Sequence, residues 1–299
     1  MAVVDAQDQL EWEARVRPRA AAIAALSGML VIAGLVIAGV ATQDQPTALL
    51  LDSLRNLEAA GPIGEQTTTH VADFEYTSDH LSSILPSILM LAFGILGIGL
   101  TVSFLARATR ARREQLPRFA MPMPAVGAAV AGLGIITVFF AQQSWHDDIL
   151  AGSRTVDAVR ERPSAEGIGY AVELLGLFVF AIGAVLVSLN AMRAGLLTRT
   201  MGILGMFSGG AIVLFGPSQP LLPLWTVFLA PLFLGRWMGG QPPAWKTGEA
   251  EPWPSAAVLR EERMRAKGKL AEPDPVAVET AARATPHPSS KKRKRKRRT

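Results

Sequence analysis

An all-α, polytopic transmembrane bundle of about six membrane helices with a disordered cationic C-terminal tail is the fold class the sequence predicts, on three observations. Several stretches of 20 or more residues carry almost no charge, cations sit in alternate connecting segments, and apolar residues make up 49% of the chain against 18% charged ones. A helix satisfies its own backbone inside hydrocarbon, and about 20 apolar residues cross the roughly 30 Å of the bilayer core. The lack of cysteine excludes disulfides, thiol catalysis and Cys-type zinc sites.

The segment 1–19 precedes the first span and holds Arg15, Arg17 and Arg19. Residues 20–41, 82–106 and 120–141 are free of charge and long enough to cross. The first of these is read as an uncleaved helix rather than a signal peptide, since four carboxylates precede it and the apolar run is long for such a peptide. Between the first two spans, residues 46–60 place Leu50, Leu54 and Leu57 at helical spacing with charges between them, which predicts an amphipathic surface helix. Residues 168–192 form a fourth span interrupted only by Glu173.

Residues 200–216 and 221–238 are barely long enough at 1.5 Å per residue, and "GPSQP" at 216–220 is a tight turn between them. They are either two short spans or a hairpin that enters and leaves on one side. Pro231 should bend or break the second of them. Glycines within the second, third and fifth spans, including Gly205 and Gly209 at G-x-x-x-G spacing, predict close helix packing within the bundle.

This layout puts 26 cations in the segments on the N-terminal side and only Arg55, Arg154, Arg160 and Arg162 in the loops 42–81 and 142–167, which also carry twelve carboxylates. Because cationic loops stay inside, both termini are expected in the cytoplasm, with the plasma membrane as the location. Residues 239–299 form the tail, with a short helix over about 255–267 and a Pro/Ala/Ser-rich stretch after it. Trp245 and Trp253 are expected at the headgroups or packed on the bundle. The run Lys291, Lys292, Arg293, Lys294, Arg295, Lys296, Arg297 and Arg298 supplies the basic balance, since removing its eight charges from the net +5 leaves −3. Its simplest partner is an anionic lipid surface, with RNA or an acidic cytoplasmic protein as alternatives.

Three sets of residues are candidates for function. Glu173 is the one ionisable side chain well inside an expected span, and Tyr170 lies three residues earlier on the same helical face. That pair suits a proton or cation path, while a position near the interface would explain it equally. His70, Asp73, Asp79, His80 and His146 share the acidic side, where imidazole with carboxylate suits a divalent ion, although the spacing matches no strict motif. Thr101, Thr137, Ser188 and Asn190 are polar but do not form a pathway at sequence level. No cofactor motif is present on an aqueous segment, and the oligomeric state is open.

The second span with "FLARATRARREQLPRF" after it, and the later "GRWMGGQPPAWKTGEAEPWPS", resemble uncharacterised polytopic membrane proteins of actinobacteria. The resemblance covers the membrane region and proximal tail, and implies a bacterial source with no established substrate or reaction. A non-enzymatic structural, scaffold or sensor component is the first expectation. A small-solute or ion transporter using Glu173 is the alternative, and a membrane metalloenzyme a distant third.

Overall fold

The computed structural model describes residues 6–47, 61–237 and 240–252, with a few isolated positions besides. The chain divides into a unit over Met1–Trp253, which holds the apolar helices, and a second over Pro254–Thr299. The expected helix at 255–267 and the basic run 291–298 lie outside the described residues, as does most of the segment 46–60.

Four long helices carry the apolar runs: α1 (Ala6–Ala41), α3 (Leu81–Arg112), α4 (Met123–Ala151) and α6 (Ser164–Ala194). Short helices α2 (Val71–Asp79) and α5 (Val156–Arg160) lie in the two loops at the acidic end. Helices α7 (Arg199–Phe215) and α8 (Leu221–Phe233) come next in the chain, and α9 (Ala244–Thr247) is a single turn. The all-α bundle is as expected, and its long apolar helices suit a lipid bilayer. Every long helix outruns its apolar stretch, because neighbouring helices continue to bury its inward stripe beyond the hydrocarbon. From Ala6 the N-terminal segment is thus the first part of α1, passing through Pro18.

Small residues line the contact face of α1, and larger apolar ones pack on it. On α1 the buried stripe runs Ala20, Ala24, Ser27, Val31 and Gly34, and α3 meets it with Leu91, Ile95, Ile98, Val102 and Leu105. Helix α4 lies between α3 and α6, and the α4–α6 seam is backbone against backbone. A methyl group placed on Gly127 would sit 2.3 Å from the Phe180 nitrogen. Such contact replaces the hydrophobic drive that lipid does not supply.

Among the described residues four helices are long and apolar enough to cross a membrane, and the last two apolar helices are shorter. Gly205 of α7 lies against Ser188 and Trp225, and Gly209 against Ala184, so this G-x-x-x-G pair is used inside the bundle. Continuing that register at 1.5 Å per residue brings Phe215 beside about residue 178 of α6, roughly 20 Å short of that helix's start. On the other arm, Pro223 and Val227 pack on Gly28, and the Arg17 Nε donates to the Phe233 carbonyl at 2.9 Å. Helix α8 therefore begins beside about residue 32 of α1, roughly 14 Å short of Ala41. The two arms thus form an antiparallel hairpin whose turn lies level with the interior of α1 and α6, and the chain returns to the end it left.

A turn at that depth needs its own hydrogen bonds. Gln219, 7% exposed, supplies them: its side-chain oxygen accepts from the Leu221 and Leu222 nitrogens at 2.9 and 3.3 Å, and its amide donates to the Ser208 carbonyl at 3.3 Å. Trp225, fully buried, donates to the Met201 carbonyl at 2.9 Å and joins the two arms. Helix α8 runs through Pro231 and ends two residues later, where Gly235 takes a φ of 72°. The sixth expected span is thereby shortened from 221–238 to 221–233.

Candidate functional site

Three groups of polar residues lie at different depths in the bundle. Within the apolar region, Glu173 sits on α6 where that helix packs tightly on α4: a methyl on Gly134 would lie 2.3 Å from the Glu173 nitrogen. The Glu173 side chain is half-exposed on the bundle surface and has no hydrogen-bond or ion-pair partner among the described residues. Tyr170 does not join it. The Tyr170 hydroxyl accepts from Gln142 Nε2 at 3.0 Å, which draws it toward the acidic end. Thr101, Thr137 and Asn190 each donate to the carbonyl four residues earlier in their own helices, at 2.9, 2.9 and 2.8 Å. Ser188 is fully buried against α7 with its hydroxyl unpaired. These residues remain separate and do not form a polar file.

At the acidic end the two loops fold on each other. Thr67 bridges to Thr155 in antiparallel fashion, and the Val156 nitrogen donates to the Gln66 carbonyl at 2.8 Å. Phe74 of α2 is buried against Trp145 and Ile149 at the far end of α4, and the His146 ring stacks on it at 4.3 Å. Burial holds the His146 imidazole below its ordinary pKa, with Arg162 in the same sense and Asp73, Asp147 and Glu166 opposing. Its Nδ1 is buried without a partner, as are Trp145 Nε1 and Glu166 Oε2.

Glu166, 2% exposed, accepts from Gln142 Nε2 at 3.0 Å and from Arg162 Nη1 at 2.8 Å, and the Arg162 guanidinium lies 5.1 Å from the centre of the Trp145 ring. This network was not legible in the sequence, where Glu166 is one of the twelve carboxylates of the loops 42–81 and 142–167.

The five residues considered for a metal are dispersed by this packing. His70 is 4.0 Å from Asp73, whose carboxylate is taken by Gln45, while His80 stacks on Tyr76 at 3.9 Å and its Nδ1 lies 2.9 Å from that residue's carbonyl oxygen. Asp79 is exposed and His146 faces Phe74. Among the described residues no group of three or more His, Asp or Glu side chains converges to hold an ion.

The third group lies at the basic end. Glu13 and Arg112, 1% and 0% exposed at their side chains, form a two-pronged ion pair, with Arg112 Nη1 on Oε1 and Nη2 on Oε2 at 2.9 Å. The same guanidinium donates to the Ala244 carbonyl at 2.8 and 3.1 Å. Trp245 lies under the Arg17 and Arg112 guanidinium groups, at 4.8 and 5.4 Å, and its ring nitrogen donates to the Leu196 carbonyl at 2.9 Å. Phe104 and Phe233 close the ring cluster. The Glu251 nitrogen donates to the Ala194 carbonyl at 3.1 Å, so residues 244–251 cover the ends of α1, α3 and α6. The proximal tail is part of the bundle; of its two tryptophans, Trp245 packs on the helices and Trp253 lies outside the described residues.

A signal for this pair exists in the sequence. Stepping backward by three and four residues along the buried stripe of α1 from Val31 reaches Ser27, Ala24, Ala20, Arg17 and Glu13, and the stripe of α3 ends on Arg112.

Comparison with known proteins gives no match to any family model, curated protein or solved structure. The chemistry of the three groups is therefore the guide to function.

Proposed function

We propose that the protein is a multi-pass component of a bacterial plasma membrane, both termini cytoplasmic, that acts as a non-enzymatic scaffold or sensor presenting its basic tail at the inner surface. The observation that carries this reading is the clamp on residues 244–251. Buried contacts of Arg112 with Glu13 and Ala244, and of Trp245 with Leu196, fasten the start of the tail to the bundle. Residues 244–251, the described start of the tail, are thus held at the basic end. Each Lys or Arg of 291–298 near an anionic leaflet adds roughly 1 kcal/mol, weakened by salt. RNA or an acidic protein would use the same charge. The uneven spread of cations between the two ends supports the orientation, and kinship with the actinobacterial proteins rests on the stretches "FLARATRARREQLPRF" and "GRWMGGQPPAWKTGEAEPWPS".

A transporter is the second reading, favoured by the unpaired Glu173 on a bundle that contains a half-length hairpin. Reconstitution in liposomes separates the two. The scaffold reading expects proton and alkali-cation permeability equal to that of protein-free vesicles, unchanged in Glu173→Gln. A saturable flux abolished by that substitution would replace the scaffold with a transporter.

A further inference from the structure

A groove of about 450 Å³ opens on the bundle surface at the basic end. Its floor is α3, through Leu100, Phe104 and Arg107; one wall is Trp12 and Val16 of α1, and the other is Met121 at the start of α4. The two walls are held apart by α3, and the Ser103 hydroxyl fixes the second one by accepting from the Ala125 nitrogen at 3.1 Å.

Leu100 lies within the apolar run of α3, whereas Arg107 is the first charge after it, so the groove extends from hydrocarbon depth to the headgroup layer. Arg107 is exposed and makes no hydrogen bond or ion pair among the described residues, and the same holds for Arg19, three residues beyond Val16. Among the described residues no carboxylate lines the groove. Glu13, the acid nearest Trp12 in the buried stripe, is already held by Arg112.

We propose that this groove binds one phospholipid with an anionic headgroup, its phosphate against Arg107 beside Trp12 and one acyl chain along Leu100 and Met121. An apolar trough that ends in an unpaired cation at the membrane boundary has the polarity of such a lipid along its length. A zwitterionic lipid offers the same chains and a weaker match at the rim. The run 291–298 has the same sign of charge as Arg107 and Arg19 and does not complement the groove's rim.

The test uses the full chain in detergent micelles, with lipids retained after dilution counted by native mass spectrometry in half-molar salt. High salt screens contacts made by the tail. The probes are phosphatidylglycerol, phosphatidylcholine with the same chains, and glycerol phosphate. The expected result is one phosphatidylglycerol retained in preference to phosphatidylcholine, with glycerol phosphate not retained. Arg107→Gln should weaken that retention by up to about fivefold, the low-salt factor for one cation near an anionic group, which the salt reduces. Leu100→Trp fills an exposed position in the groove and should displace both lipids, whereas Leu214→Trp, at a site 80% exposed on α7, should change nothing. Equal retention of the two lipids, retention of glycerol phosphate, or full phosphatidylglycerol preference in both Arg107→Gln and Leu100→Trp would overturn the assignment. None of these variants touches residues 291–298, so failure here is distinct from failure of the tail's role.

Discussion

Replacing Glu13 by Leu leaves the Arg112 guanidinium, 0% exposed at its side chain, without its counter-charge. Two carbonyls remain as partners, Ala108 at 3.0 Å and Ala244 at 2.8 Å, and they satisfy hydrogen bonds without neutralising the charge. Breaking one side of a buried ion pair typically costs about 3–5 kcal/mol, and the low exposure of both side chains places this pair in that range. Removing both charges with groups of similar volume is close to neutral in comparable cases. Glu13→Leu with Arg112→Met should therefore lie within about 1–2 kcal/mol of the parent, the remainder reflecting the unpaired Ala244 carbonyl.

Unfolding in mixed micelles, followed by helicity, gives the four corners of the cycle. Trypsin cleavage after Lys246 reports local release of the clamp. Expected are fast cleavage in Glu13→Leu and in Arg112→Met, and slow cleavage in the parent and the double variant. If either single variant loses less than about 1 kcal/mol, or the two losses simply add, the pair is not a buried clamp.

Two other outcomes arise from the packing. His146 has its pKa lowered by burial, so the unfolded chain binds the extra proton first as pH falls through the ordinary imidazole value. Stability of the acidic end should rise with pH between the depressed value and about 6.5, the unperturbed one, and level off above it; hydrogen exchange over residues 71–80 measures this, and His146→Phe should flatten the slope. Gly127→Ala forces a methyl to 2.3 Å from the Phe180 nitrogen, for a loss of about 1–3 kcal/mol, whereas Gly210→Ala meets nothing within 4 Å and should be neutral or slightly stabilising by helicity-monitored unfolding.

Much of the fold was legible because a bilayer tolerates few backbone solutions, and a charge-free run of 20 residues has essentially one reading. Helix ends were less legible, since α1 and α3 continue on the strength of a buried stripe that includes Glu13, Arg17 and Arg112, residue types that composition assigns to water. Candidate-site residues divided in the same way. Glu173 was visible as a lone charge in an apolar run, but its separation from Tyr170 depends on Gln142, which is 28 positions away from the tyrosine. His146 and Phe74 are 72 positions apart, and no local pattern announces their stacking.

The sequence by itself determined the class of fold, the four long spans and the uneven division of charge between the two ends, because each depends on local composition set against the free energy of putting charge and backbone into hydrocarbon. Tertiary structure alone decided that the last two apolar segments stop halfway, that the acidic loops fold over Phe74, and that the tail begins inside the bundle. Those outcomes depend on which distant groups satisfy one another: Gln219 for the buried turn, Arg112 for Glu13, Leu196 for Trp245. A buried polar group requires a partner but does not name it, and only the packed helices supply the address.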